Sequence, residues 1–443
     1  MPAGCVQAHG RSTRQRSSPR KEHRVMSTPA WKRGMAAIAL AGAAFGAQAV
    51  SYFSWQAVEL PASSGASCGN GTPYRFFVNR TPFTSRTVVV YEGGGACWDQ
   101  KACLGGSLLS ASNPDGVAAN YMQDLAHQLS TPFTARLDPL QSVRTQGWNI
   151  VFLPYCTGDV HTGNATAIYS DADATKPLAY SHRGAVNSEQ VAAWLKANLS
   201  RPQQLLVTGF SAGGAGATSN YAVIRAALNP AKSALLADSG PLYPAPRSGS
   251  DEQYPSLRLQ NRIRVAWGLD GPEGLVTKLL ARYPGAGSAE DLGSVSTGLA
   301  KVFPQDRFGY ALFQQDAVYS DFSYTKFHPE IAEAAPSMKP VLLNVLWRRD
   351  IANWLPELRS RPNVGYYVPY ARDLLGSHCL TTLTFGGTAI QEARLKNVGS
   401  FIDNLLDDGG TPIRAYESRQ VEQSTFGWLG EVVAWLVSLF PKA

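Results

Sequence analysis

Several features that would assign a chain of 443 residues to a large functional class are scarce or missing here. Of 40 Lys/Arg and 33 Asp/Glu, residues 1–49 hold eight bases and one acid, so the formal net charge of +7 belongs to that segment and the rest of the chain carries 32 of each sign. No basic surface for DNA or RNA is expected, and no nucleic-acid partner. Cysteine is sparse, with six residues and no C-x-x-C pair, and the seven histidines show no ligand spacing. This argues against a structural zinc site, and no metal or redox cofactor is implied. No apolar run reaches the about 20 residues that a spanning helix needs. No internal repeat is visible, so solenoids and propellers drop out.

What remains is the composition of a globular protein with a substantial core, 44% hydrophobic and 16% charged. The basic N-terminal segment has the form of an export signal. Trp31, Lys32 and Arg33 precede an apolar stretch at 34–45, and Ala47-Gln48-Ala49 supplies a cleavage site, with Met26 as a second candidate start. Cleavage after Ala49 and a secreted or periplasmic location follow as expectations. In such a compartment cysteines pair. Cys5 lies in the leader; among Cys68, Cys97, Cys103, Cys156 and Cys379, a local Cys97–Cys103 bridge is expected and the pairing of the other three stays open. The organisation expected is a leader at 1–49, one catalytic domain at 50–420, and a hydrophobic C-terminal helix at 421–443. The apolar stretch 426–440 would be about 22 Å long as a helix, short of a bilayer core. Docking on the domain and interfacial membrane contact are its two readings.

The chain is organised around residues 205–214, LLVTGFSAGG. A buried apolar strand runs into a glycine-rich turn with Ser211 at its tip, and a helix of small and apolar residues follows to Leu228. A G-x-S-x-G elbow needs small neighbours because the reversal from strand to helix is too sharp for side chains on both flanks. Gly209, Ala212 and Gly213 meet that need. Earlier, the β-branched run at 86–91 lacks alternation, as a strand buried on both faces does, and ends in EGGGACWD at 92–99. Gly94 and Gly95, with Ala212, are assigned the backbone N–H groups of an oxyanion hole. A further strand at 148–155 leads to Asp159 and His161, which are candidates for contacting substrate at the carboxyl edge of the sheet.

Strands are also expected at 54–60, 74–79, 233–238, 308–316 and 363–370, the last preceding the loop that holds His378. Helices are expected at 188–198, 257–267, 274–282 and 341–359. The fold class is α/β, an α/β-hydrolase-like, mostly parallel central sheet with helices on both faces and helical insertions. Serine, acid and histidine follow one another along the chain in that plan. His378 is therefore the base. Asp316 is the acid, and Asp238 is given a turn-capping role.

Together, EGGGACWD at 92–99, PYCTGD at 154–159, GFSAGG at 209–214, DSG at 238–240 and Ser377-His378 resemble the pectinacetylesterase family over residues 68–380. The resemblance implies an extracellular serine carboxylic ester hydrolase using Ser211, Asp316 and His378. Its partner would be an ester substrate, an acetylated polysaccharide or another acylated molecule. Two other readings compete: a lipase or polyester depolymerase, and a non-catalytic secreted binding protein on the same scaffold.

Overall fold

Apolar runs with no polar alternation form the central sheet because both of its faces are covered. The computed structural model describes residues 51–105, 110–138, 141–407 and 409–426; the expected leader, and the C-terminal apolar stretch from 427 on, lie outside them. The strands are β1 (Trp55–Glu59), β2 (Arg75–Asn79), β3 (Thr87–Tyr91), β4 (Asn149–Leu153), β5 (Leu205–Phe210), β6 (Ser233–Asp238), β7 (Arg307–Ala311), β8 (Val364–Val368) and β9 (Arg414–Tyr416). They lie side by side in the order β1-β2-β4-β3-β5-β6-β7-β8-β9. Only the β1–β2 and β2–β4 pairs are antiparallel. The other pairs are parallel.

The principal helices are α1 (Gly184–Asn198), α2 (Ala212–Leu228), α3 (Leu257–Ala266), α4 (Leu275–Arg282), α5 (Val295–Val302), α6 (Ala317–Tyr324), α7 (Lys339–Arg359) and α8 (Val398–Leu406). Alternate residues of each strand enter different cores. Val89, Val151, Val207 and Leu235 pack with Leu195 of α1, Tyr221 of α2 and Trp354 of α7. Val88, Ile150, Leu206 and Leu236 face the other way, against Phe401 and Leu405 of α8. Each of these fully buried Val and Leu side chains contributes about 1.5–3 kcal/mol. With both faces covered these strands are mostly apolar, which is why the sequence shows apolar runs; Thr208 of β5 is a buried polar exception.

The structure departs from the expectations in four places. α1 starts at Gly184 rather than 188, because the Asp159 carboxylate accepts the Gly184 N–H at 2.8 Å and caps the first turn. β7 ends at Ala311, and Asp316 follows as the N-cap of α6. β8 is not the last strand, since the three-residue β9 pairs with it. A hairpin at Ala165–Tyr169 and Leu178–His182 occupies a stretch for which no element was expected.

Candidate functional site

The parallel register places three chain reversals at one edge of the sheet. Tyr91 pairs with Gly209, and Phe210 pairs with Asp238, so the loops leaving β3, β5 and β6 emerge together. Ser211 sits at the turn with φ 57° and ψ −127°, a backbone region that L-residues rarely occupy. A side chain on Gly209 would overlap the carbonyl of Gly213, and one on Gly213 would overlap the carbonyl of Tyr91. Both glycines of the elbow are therefore fixed by close backbone approach. The Ser211 N–H donates to Asp238 O at 2.9 Å, while its hydroxyl has no hydrogen-bond partner among the described residues and faces a cavity.

Asp316 and His378 come together from 62 residues apart. His378 Nδ1 lies 2.8 Å from Asp316 Oδ2. The other oxygen, Oδ1, accepts the N–H groups of Val318 at 3.1 Å and Tyr319 at 2.8 Å, so the start of α6 locks the carboxylate in place. Burial pushes the His378 imidazole down, but the Asp316 carboxylate outweighs it and holds the pKa well above 6.5. That pair can orient an imidazole as a proton acceptor and stabilise its cation. No Ser211–His378 hydrogen bond is formed in this structure, and such bonds commonly close only around substrate.

The link between the two runs through Asp238. Its Oδ1 accepts Leu380 N–H at 2.9 Å, and its Oδ2 accepts both Thr381 N–H and Thr381 Oγ1–H at 2.7 Å. Ser239 Oγ accepts Cys379 N–H at 3.1 Å. Asp238 thus ties the histidine loop to the residue whose carbonyl holds Ser211. The expected capping of its own turn is not formed: the carboxylate accepts no backbone N–H there, only the Ser239 hydroxyl at 3.0 Å. The buried Arg372 guanidinium completes the loop, donating to the carbonyls of Thr384 and Gly386 at 3.0 Å and to that of Cys379. No local motif announced Arg372.

On the other side of Ser211 lies the glycine loop. The backbone at Gly95 has φ 74°, where a side chain would also strike the carbonyl of Ser110. The N–H groups of Gly94, Gly95 and Ala212 make no hydrogen bond among the described residues. Free donors beside a serine hydroxyl can stabilise a developing oxyanion. Glu92, at the root of this loop, is buried and was missed as a separate feature of the sequence. It accepts Tyr121 Oη–H at 2.7 Å and Tyr155 N–H at 2.9 Å, and burial raises its carboxyl to about 7.

Asp159 and His161 require correction. Asp159 is fully buried, with Thr157 Oγ1, Gly163 N–H and Gly184 N–H as donors. His161 is 2% exposed and its Nε2 donates to Glu92 O at 2.9 Å. Burial raises the Asp159 carboxyl to about 6 and lowers the His161 imidazole to about 4. Neither side chain reaches the cavity, so both brace the loops beneath it instead of contacting substrate.

The cavity beside Ser211 is apolar, walled by Trp98, Leu259, Ile263, Trp267, Tyr319 and Phe322 among others. Its outer wall comes from α3 and α6, the insertions after β6 and β7. Nearby disulfides Cys97–Cys103 and Cys68–Cys156 stiffen the loops, and Cys379 stays free and buried. The expected local bridge is formed, and one of the open pairings is resolved.

Residues 47–257 match the model of the pectinacetylesterase family. Over that stretch the chain is similar to the pectinacetylesterase family. It is 26% identical over 161 residues to the palmitoleoyl-protein carboxylesterase notum2 of Xenopus laevis, covering 35% of this chain and 29% of the relative. It is 25% identical over 217 residues to the palmitoleoyl-protein carboxylesterase NOTUM of Mus musculus, covering 49% and 36%. The matched parts span about a third of these relatives' length. The structure of the Wnt deacylase Notum from Drosophila superimposes with a TM-score of 0.52 at 17% identity, covering 83% of this chain and 97% of that one. The shared fold is the α/β-hydrolase-like one.

Proposed function

We propose that this protein is a secreted serine carboxylic ester hydrolase that removes an acetyl or other acyl group from an extracellular substrate. One observation carries the reading: a buried Asp316–His378 pair shares a sheet edge with an unpartnered serine held at a strained elbow. Ser211 Oγ attacks the ester carbonyl as His378 takes its proton, and the Gly94, Gly95 and Ala212 amides receive the oxyanion. Collapse expels the alcohol, protonated by His378. Water, activated by the same imidazole, then attacks the acyl-serine, releases the acid and restores Ser211. Asp316 holds the imidazole tautomer throughout.

The family match and the carboxylesterase names of the relatives support ester cleavage, on an acetylated polysaccharide or another acylated molecule as substrate. Two disulfides support an oxidising compartment, in keeping with the leader read from the sequence. The intact pair at the sheet edge that also carries Ser211 speaks against a non-catalytic scaffold. The test is release of acetate from acetylated polysaccharide and of p-nitrophenol from simple esters. Turnover by the purified chain is expected with both kinds of ester. Absence of turnover on every ester tried overturns the proposal.

A further inference from the structure

We infer that the cavity at Ser211 admits only short acyl groups and that Trp98 and Phe322 form the wall setting that limit; this rests on the esterase reading above. The cavity beside Ser211 measures about 60 Å³. With about 10–15 Å³ needed per water-sized group, it takes about four to six such groups, the size of an acetyl to butyryl chain. Sites that enclose larger ligands run to about 300–1,000 Å³. A fatty-acyl chain does not fit.

Beyond the wall lies a second cavity of about 60 Å³, bordered by Asp321, Thr325 and Lys326. The two cavities share Ala96, Trp98 and Phe322. Side chains therefore contribute to the partition, and truncating one of them would join the chambers. Trp98 is held firmly. Its ring packs against Phe327 and Trp267 at centroid distances of 5.6 and 6.5 Å, and the Lys326 ammonium lies 5.7 Å from its ring centroid. The preceding residue, Cys97, is bridged to Cys103 and accepts Trp267 Nε1–H at 2.9 Å, while Trp98 O accepts from Arg262. The indole is a fixed wall rather than a gate. A methylene that the site can bury gains about fourfold in kcat/KM, and one that meets this wall loses at least as much by overpacking.

The experiment compares kcat/KM for p-nitrophenyl acetate, butyrate, octanoate and dodecanoate, using the full chain, Trp98→Ala and Phe322→Ala, with Ser211→Ala as blank. Wild type is expected to favour acetate and butyrate over octanoate by at least tenfold. In at least one variant the octanoate-to-acetate ratio should rise by about 15-fold, the gain from burying two further methylenes. Equal use of butyrate and octanoate by wild type overturns the inference. So does an unchanged ratio in both variants at retained melting temperature; should a variant not fold, the wild-type profile alone still decides. No turnover of any ester above the blank overturns the esterase reading itself, whereas turnover with a flat chain-length profile overturns only the wall.

Discussion

Replacing Asp238 by Asn probes how the histidine loop is held to the nucleophile strand. The change keeps the side chain's shape but puts a donor nitrogen where one acceptor oxygen stood. Four donors converge on the wild-type carboxylate: the N–H groups of Leu380 and Thr381 and the hydroxyls of Thr381 and Ser239. With the amide oxygen kept toward Leu380 N–H, the buried Thr381 N–H meets a donor. Leaving one such group unsatisfied costs about 1–3 kcal/mol. The loop then settles elsewhere, and a displacement of about 1 Å in a reacting group can cost about 100-fold in rate. The wall residues Trp98, Ile263 and Phe322 hang from other elements, so substrate binding should be spared. We expect kcat to fall by about 100-fold and KM to change by less than about threefold, assayed well below the variant's melting temperature. A kcat within twofold of wild type would refute the tie. So would a rise in KM alone.

The imidazole offers a second test. With its pKa held well above 6.5 by Asp316, His378 gains its basic form only at higher pH, so kcat/KM should rise with pH through a midpoint above 6.5. Asp316→Asn should cut kcat by about 10⁴-fold and move the midpoint down, read from a pH–rate profile. Because the folded pKa is raised, the pair's contribution to stability is full below pH 6.5 and is lost as pH climbs through the folded value. Urea titrations on both sides of that range should show wild type losing its advantage over His378→Ala as pH rises. The disulfides differ in the chain they close, 88 residues for Cys68–Cys156 and six for Cys97–Cys103. Loop-closure entropy gives about 4.6 against about 2.2 kcal/mol, so the Cys68→Ser/Cys156→Ser variant should lose about twice the stability of the Cys97→Ser/Cys103→Ser one by urea denaturation.

Local pattern made the nucleophile strand, the elbow and the buried strands legible in the sequence. A strand covered on both faces is mostly apolar, and a sharp reversal must carry small residues. Contacts between distant segments were less legible. The tie from Asp238 to Thr381 spans 143 residues and leaves no spacing to read. Asp238-Ser239-Gly240 has turn composition, and the chain does bend at Ser239, where φ is 49°. Asp159 and His161 followed a core strand as substrate contacts would, yet backbone amides claimed the carboxylate and a carbonyl claimed the imidazole. β9 was too short for a period of two to appear. Trp98 read as part of a motif; its place between two cavities depends on Phe322, which lies on a helix 224 positions later.

The central claim is that Ser211 forms the acyl-enzyme. The direct measurement is mass spectrometry of the protein after treatment with a fluorophosphonate, with parallel assay of Ser211→Ala. The account predicts a single adduct on the peptide holding Ser211, loss of esterase activity in proportion to labelling, and neither adduct nor activity in the variant. Full esterase activity in Ser211→Ala, or an adduct on another residue that tracks the loss of activity, would contradict it.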